Sequence, residues 1–305
     1  MSHPAVTASR LDPWAFIELL KPITWFAPMW AFMCGVVSSG MTLYDARWLT
    51  FIAGVLLAGP LVCGTSQVVN DWYDRHVDAI NEPGRPIPSG RVPGAMGYYF
   101  ALLWTAVSLA VSTLLGPWGL TAAVVGLALA WAYSAPPLRL KLNGWWGNAA
   151  VGLCYEGLPW FTGALVLSGA LPGVEILTLA LLYSIGAHGI MTLNDFKSIE
   201  GDSALGVRTL PVQLGPERAA RLACVTMAIP QFVVVFALAA WNFPIHATIV
   251  MALTLAQIWL MTKLLTDPRR LAPWYNATGI SLYVLGMLTS AIAVRDLASA
   301  GGLTP

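Results

Sequence analysis

Three aspartates, Asp71, Asp74 and Asp78, follow one another at intervals of three and four residues. On a helix these positions lie within roughly 60° of each other, so the three carboxylates share one face. Like charges held together disfavour their own ionised forms, and such clustering is costly unless cations fill the space between them. Hard oxygen donors of this kind suit Mg²⁺, which retains waters and takes one or two carboxylates together with substrate phosphates. Asn70, immediately before the run, offers an amide oxygen as a further metal ligand. The pattern returns later in the chain: Asn194-Asp195 repeats Asn70-Asp71, and the interval from Asp71 to Asp78 is matched from Asp195 to Asp202. Glu200 stands off that second face. One acidic run beside a membrane is ordinarily a solvated loop; two runs of equal spacing point instead to a shared metal site of Asn70, Asp71, Asp74, Asp78, Asn194, Asp195 and Asp202.

Cations are interleaved with these acids at Arg85, Arg91, Arg139, Lys141, Lys197 and Arg208. Arginine grips phosphate oxygens through two parallel hydrogen bonds and lysine acts as a point charge, so this set is suited to a diphosphate. Metal and cationic clamps would stabilise a departing diphosphate, and a water-poor cavity would protect the carbocation left behind. Trp72, Tyr73, Tyr133 and Trp160 are candidates to face that cation. With 14 tryptophans in the chain, packing or an interfacial belt is the competing account of each.

The elements that must carry these residues are membrane helices. Hydrophobic residues make up 57% of the chain and charged residues 10%, against about 25% charge in a soluble domain. Apolar segments long enough to cross a bilayer recur at about 23–41, 49–70, 96–115, 118–134, 147–167, 175–194, 217–241, 245–265 and 277–294. This predicts an all-α integral membrane protein of about nine transmembrane helices around a central cavity. That division puts 14 of the 16 lysines and arginines on one side and only Arg47 and Arg295 on the other. Basic residues favour the cytoplasmic face, so the N-terminus and the acidic segments are expected inside. Carrying span two onto span six preserves orientation, which suggests two four-helix pseudo-repeats, about 14–140 and 141–265, followed by an added ninth helix at about 277–294. Residues 12–22 mix apolar and charged positions in the manner of a short interfacial helix. Met1 to Asp12 shows no cleavable secretory signal. Cys34, Cys63, Cys154 and Cys224 occur singly in apolar stretches and read as small buried hydrophobes without metal or redox pairing. The net charge of +1 gives no reason to expect a nucleic-acid partner.

Longer strings carry a resemblance. Asn70 to Asp78 reads NDxxDxxxD, and Tyr133-Ser-Ala-Pro-Pro-Leu-Arg139-Leu-Lys141 follows between spans four and five. With Lys21-Pro-Ile-Thr-Trp25, the run from Asp78 to Arg91, Asn143-Gly-Trp-Trp-Gly147 and the run from Asn194 to Asp202, the chain resembles the UbiA superfamily of intramembrane prenyltransferases. Within it the chain looks like the (bacterio)chlorophyll synthase branch. The resemblance extends over nearly the whole chain, and Cys154 to Thr162 and Gly186 to Thr192 look most like the enzymes of purple bacteria. It implies catalysis by Asp71, Asp74, Asp78, Asp195 and Asp202, with Arg85, Arg139, Lys141, Lys197 and Arg208 on the diphosphate and two Mg²⁺ ions bridging it. The implied partners are bacteriochlorophyllide a, geranylgeranyl or phytyl diphosphate and the lipid bilayer of a bacterial cytoplasmic or intracytoplasmic membrane. Association with other pigment-synthesis or photosynthetic membrane proteins is compatible with that setting. One departure stands out: the superfamily's second motif commonly has acids four apart, whereas here Ser198 stands four before Asp202.

An acceptor that is itself a carboxylate needs no strong general base, and the protein's work would be ionising the donor and holding the propionate close. Glu156 and His188 lie inside spans, where ionisable groups are functional candidates. The pigment's magnesium or ring substituents would be their targets, and a helix-to-helix hydrogen bond is the alternative for each. His76 reads as a loop residue. Two rival classes remain open: a cation transporter, which would place acids near the bilayer midplane, and a pigment-binding assembly factor without turnover.

Overall fold

The computed structural model describes residues 12–41 and 47–301. Arg10 of the charge count and the Met1–Leu11 part of the signal reading lie outside them. Among the described residues every regular element is helical, and the single bridge of extended backbone joins Asn143 to Arg208. Seven helical runs are long and apolar enough to cross a membrane, or up to eight if the bent pair Pro13–Thr24 and Phe26–Ser38 counts as one span. Length and composition alone therefore do not confirm the expected count of nine.

A short helix α1 (Pro13–Leu19) is capped by Asp12, whose carboxylate accepts from the Trp14 amide. The chain then bends 55° into α2 (Phe26–Ser38). Helix α3 (Arg47–Leu56) continues through a π-helical stretch, Leu57–Cys63, into α4 (Gly64–Asn81). Pro60 sits in that stretch, where its ring and missing donor break the ordinary ladder. The acidic residues expected in a loop after span two therefore lie on the last turns of one helical run of 35 residues.

Helices α5 (Met96–Ser112) and α6 (Gly116–Ser134) belong to a single run, but it doubles back. Tyr98 and Trp131 have ring centroids 6.1 Å apart; in a continuous straight helix they would be separated by roughly 50 Å. The reversal falls at Gly116, whose φ of 74° is costly for any side chain. The sequence reading counted these two arms as separate spans.

The second half opens with α7 (Gly144–Gly152), a π-helical turn at Leu153–Gly157, and α8 (Leu158–Ser168). Then come α9 (Val174–Asn194), the short α10 (Ile199–Ala204) and α11 (Leu210–Leu214). Three long helices, α12 (Pro216–Ala240), α13 (Pro244–Leu264) and α14 (Pro268–Gly301), each start on proline, which needs no donor there. In lipid there is little hydrophobic drive between helices, so close backbone approach and internal hydrogen bonds hold the bundle. A Cβ on Gly35 of α2 would lie 2.0 Å from the Trp160 carbonyl of α8, and one on Gly163 would lie 2.2 Å from that of Phe32. Gln231, Gln257 and the Gly279 carbonyl form a buried chain linking α12, α13 and α14.

Candidate active site

Helix α4 presents Asp71, Asp74 and Asp78 on one face, as their spacing requires, and each meets a cation. The Lys21 ammonium lies 2.6 Å from Asp71, Lys141 lies 2.5 Å from Asp74, and Arg85 lies 2.9 Å from Asp78 and 3.4 Å from Asp71. Arg85 also pairs with Glu82. Asn70 donates to Asp74 at 3.0 Å and to the Ser134 hydroxyl at 3.2 Å, fixing the end of α6 against α4. Lys21 entered the sequence reading only in the charge count and in the Lys21–Trp25 string of the resemblance, yet it stands in the site 50 positions before its partner. Lys21 and Arg139 share a further property: both adopt left-handed backbone, at φ 44° and 41°. That conformation costs of order 1–3 kcal/mol in a non-glycine residue, which the surroundings must offset. The Arg139 Nε is buried without a hydrogen-bond partner.

The second acidic segment is built differently. Asp195 follows α9 in a 3₁₀ turn, and Asp202 sits on α10. Asp202 accepts from the Ser198 hydroxyl at 2.7 Å and from Thr209 at 3.3 Å. Ser198, which breaks the superfamily pattern, is therefore a hydrogen-bond donor to the remaining acid. Asp195 keeps one buried oxygen unpartnered, while Asn148 of α7 bonds its side chain. Asn148 also donates to Thr192. It went unnoticed in the sequence, where an asparagine after a glycine carries no signal of its own.

The two segments face one another. Asp74, Asp195 and Asp202 all lie within electrostatic reach of the Tyr133 hydroxyl, and Asp74 within reach of Asp202. A Cβ on Gly201 would sit 3.5 Å from the Asn81 amide at the end of α4. The Arg139–Asn143 connection is bound to the second segment: Gly144 donates to the Arg208 carbonyl at 2.8 Å and Arg208 donates to Leu142 at 3.0 Å. Burial lowers the Lys141 ammonium below the ordinary lysine range, and the Asp74 charge opposes that. The hydrogen bond from Arg85 holds Glu82 below the usual carboxylate range.

Other candidates are placed less centrally. Lys197 and Arg208 are exposed and make no side-chain hydrogen bond or ion pair among the described residues, though Lys197 acts on Asp195 and Glu82. Asn194 turns away from the acids, accepting from Asn276 of α14 at 2.6 Å. Arg91 pairs with Glu18 through both terminal nitrogens, at 2.7 and 3.0 Å, and ties α1 to the loop after α4. Trp72 lies under the Arg75 guanidinium and beside Tyr98, and Tyr73 packs on Trp131. Trp160 is fully buried, stacked on Tyr183 with its indole donating to Ser38. Of the four aromatics, Tyr133 is the one acted on by acids of both segments. Glu156 is buried in the π-helical turn within charge range of Cys34 and Tyr283, with no acid around it. His188 packs 5.9 Å from the Trp145 ring, its Nδ1 buried without a partner.

The donor set fits a hard divalent cation. Asp71 and Asp195 each hold a buried carboxylate oxygen with no hydrogen bond. Among the described residues no three acid, histidine or thiol side chains converge closely enough to hold an ion alone. Mg²⁺ does not require that, since phosphate oxygens and waters complete its octahedron.

Seven apolar helical runs make this a multi-pass membrane protein, with two acidic segments and their cations drawn together at the ends of its helices. Comparison with known proteins makes this particular: the UbiA prenyltransferase family model matches residues 22–288, and the chain belongs to that family. It is 59% identical over 286 residues to the bacteriochlorophyll synthase 33 kDa chain of Cereibacter sphaeroides, covering 94% of each. It is 53% identical over 287 residues to the protein of the same name from Rhodobacter capsulatus, covering 93% of this chain and 94% of that one. A UbiA homologue from Archaeoglobus fulgidus, solved bound to GPP and Mg²⁺, superposes with a TM-score of 0.70 at 20% identity, over 88% of this chain and 99% of that one.

Proposed function

We propose that this chain is a bacteriochlorophyll synthase, esterifying the propionate of bacteriochlorophyllide a with geranylgeranyl or phytyl diphosphate. The reaction class is carried by one observation: two acidic segments 124 residues apart meet around Tyr133, with Lys21, Arg85 and Lys141 among them. The choice of acceptor follows the relatives above. Asn70, Asp71, Asp74 and Asp78 from one side and Asp195 and Asp202 from the other would hold two Mg²⁺ ions. Bound there, Mg²⁺ supplies Lewis-acid neutralisation of the diphosphate charge.

The chain's own groups then divide the work. Lys21, Arg85 and Lys141 exchange carboxylate for phosphate oxygens as the donor enters, and Arg139, Lys197 and Arg208 line its approach. The C1–O bond breaks with both electrons leaving on diphosphate, and a propionate oxygen attacks C1. An apolar cleft lined by Val62, Gly126, Cys154 and Leu158 keeps water from the carbocation. The matched segments support a reading as duplication of a four-helix unit, and the charge asymmetry supports a cytoplasmic position for both, in a bacterial inner or intracytoplasmic membrane.

Purified protein incubated with bacteriochlorophyllide a or chlorophyllide a, and with either diphosphate, is expected to form the prenyl ester with the bacterial pigment when Mg²⁺ is present. Chelation should abolish it and Mg²⁺ restore it, as read by mass. Undiminished turnover under exhaustive chelation would overturn the metal assignment, and prenylation of a quinone precursor or haem instead would overturn the acceptor.

A further inference from the structure

Both π-helical stretches of the described chain end at one contact. Cys63 closes the first and Tyr155 lies in the middle of the second, and the Cys63 thiol donates to the Tyr155 hydroxyl at 3.5 Å. Gln67 donates to the same oxygen at 2.9 Å. Thr24, at the bend between α1 and α2, reaches Cys63 at 3.4 Å. A π-bulge re-aims the side chains it contains, is costly to keep, and tends to occur where function demands it.

The position of this contact is set by α4. Gln67 lies four residues before Asp71 on the same helix face, one turn deeper into the apolar part of the run. In a prenyl diphosphate, C1 is bonded directly to the phosphate oxygen. One isoprene unit is about as long as a helical turn, about 5.4 Å. With the diphosphate at the level of Asp71 and Asp74, the first isoprene unit falls level with Tyr155. The Tyr155 hydroxyl is already engaged by two donors, so the ring is what remains to meet a ligand. Tyr155 is half-buried although it lies deep among helices, and Tyr133 is within electrostatic reach of it. Cys154, next to it in the chain, and Val62, next to Cys63, line the apolar cleft.

We propose that Tyr155 is a catalytic residue whose ring face stabilises the allylic cation, held in place by Gln67 and Cys63. The inference rests on the prenyl-transfer reading given above. As C1–O cleaves, positive charge spreads over C1 and C3 of the donor, and the negative face of an aromatic ring attracts it. Gln67 and the bulge at Leu153–Gly157 act through Tyr155 as positioning elements.

The test uses the purified full chain with Tyr155 replaced by Leu, by Phe, and by phenylalanines bearing one, two and three fluorines. Tyr155→Leu should lower kcat about thirtyfold with the donor KM within about threefold, the scale of a desolvated cation–π contact. Tyr155→Phe should keep at least about a third of kcat, and each added fluorine should lower kcat further because it weakens the ring's negative face. A flat fluorine series, or a Tyr155→Leu enzyme with unchanged kcat, overturns the proposal. A packing role predicts that flat series together with a lowered melting temperature. Diphosphate release from the donor without acceptor is followed in parallel, so the series stays readable even where ester formation with the pigment fails and the acceptor assignment falls instead.

Discussion

The first acidic segment and the second share the seven-residue interval between their outer aspartates but balance the charge of those acids differently. On α4 every aspartate is ion-paired: Asp71 with Lys21, Asp74 with Lys141, Asp78 with Arg85. On the second, Asp202 is held by the hydroxyls of Ser198 and Thr209 and Asp195 by the Asn148 amide, with no ion pair to either among the described residues. The α4 acids therefore have their charge balanced by contacting cations of the chain, while the second pair is held by neutral donors, with Lys197 in charge range of Asp195 but not in contact. On the proposed reading, an incoming cation would gain more at the second segment and an incoming diphosphate would find its clamps at the first. Paired motifs of equal spacing have thus been made complementary rather than redundant.

The largest effect should come from removing an acid shared between the two halves. Asp74→Ala leaves Lys141 without its partner and takes a carboxylate from the face opposite Asp202; kcat is expected to fall by at least about 10³-fold, the scale of losing a preorganised charge-stabilising group. Membrane insertion should be unchanged, as followed by detergent-extracted yield, and near-normal ester formation would break the complementarity.

Smaller effects sharpen it. Ser198→Ala should raise the Mg²⁺ concentration needed for half-maximal rate by about tenfold, since Asp202 loses a hydrogen bond to its charged form with a net contribution of about 1.5–3 kcal/mol. Lys21→Met should leave that concentration near its original value and raise the donor KM by a similar factor. Identical profiles for the two variants would mean that the segments are not specialised.

The smallest effect concerns pH. A lysine with a lowered pKa loses its charge at lower pH than an ordinary one, so the rate should decline on the alkaline side before a free lysine would titrate. Lys141→Arg keeps the charge throughout and should flatten that limb, with less than about a threefold change near neutrality. A limb that survives in the variant belongs to another group.

The candidate site was legible where chemistry is written in local spacing. Asp71, Asp74 and Asp78 fall on one face because helices turn about 100° per residue, and no distant contact is needed to see it. Lys21 was passed over because nothing near it in the chain names Asp71 as its partner. Arg91 shows the converse: its type and neighbourhood suit a diphosphate, and only the fold shows that Glu18, 73 positions away, pairs with it. Glu156 and Tyr155 are adjacent, and the conspicuous charge drew notice while the tyrosine that reaches α4 did not. The π-helical turn that aims them differently has no signature in residue types alone.

The sequence by itself determined a chain of membrane helices, since apolar length and charge asymmetry are properties of segments, and it determined that acids would gather in two matched groups. Tertiary structure decided that those groups meet, which cation each acid receives, and that Met96–Ser134 turns back on itself at Gly116. Those outcomes depend on closing the chain across tens of residues, where many pairings satisfy local rules equally and the packing of the whole bundle selects one.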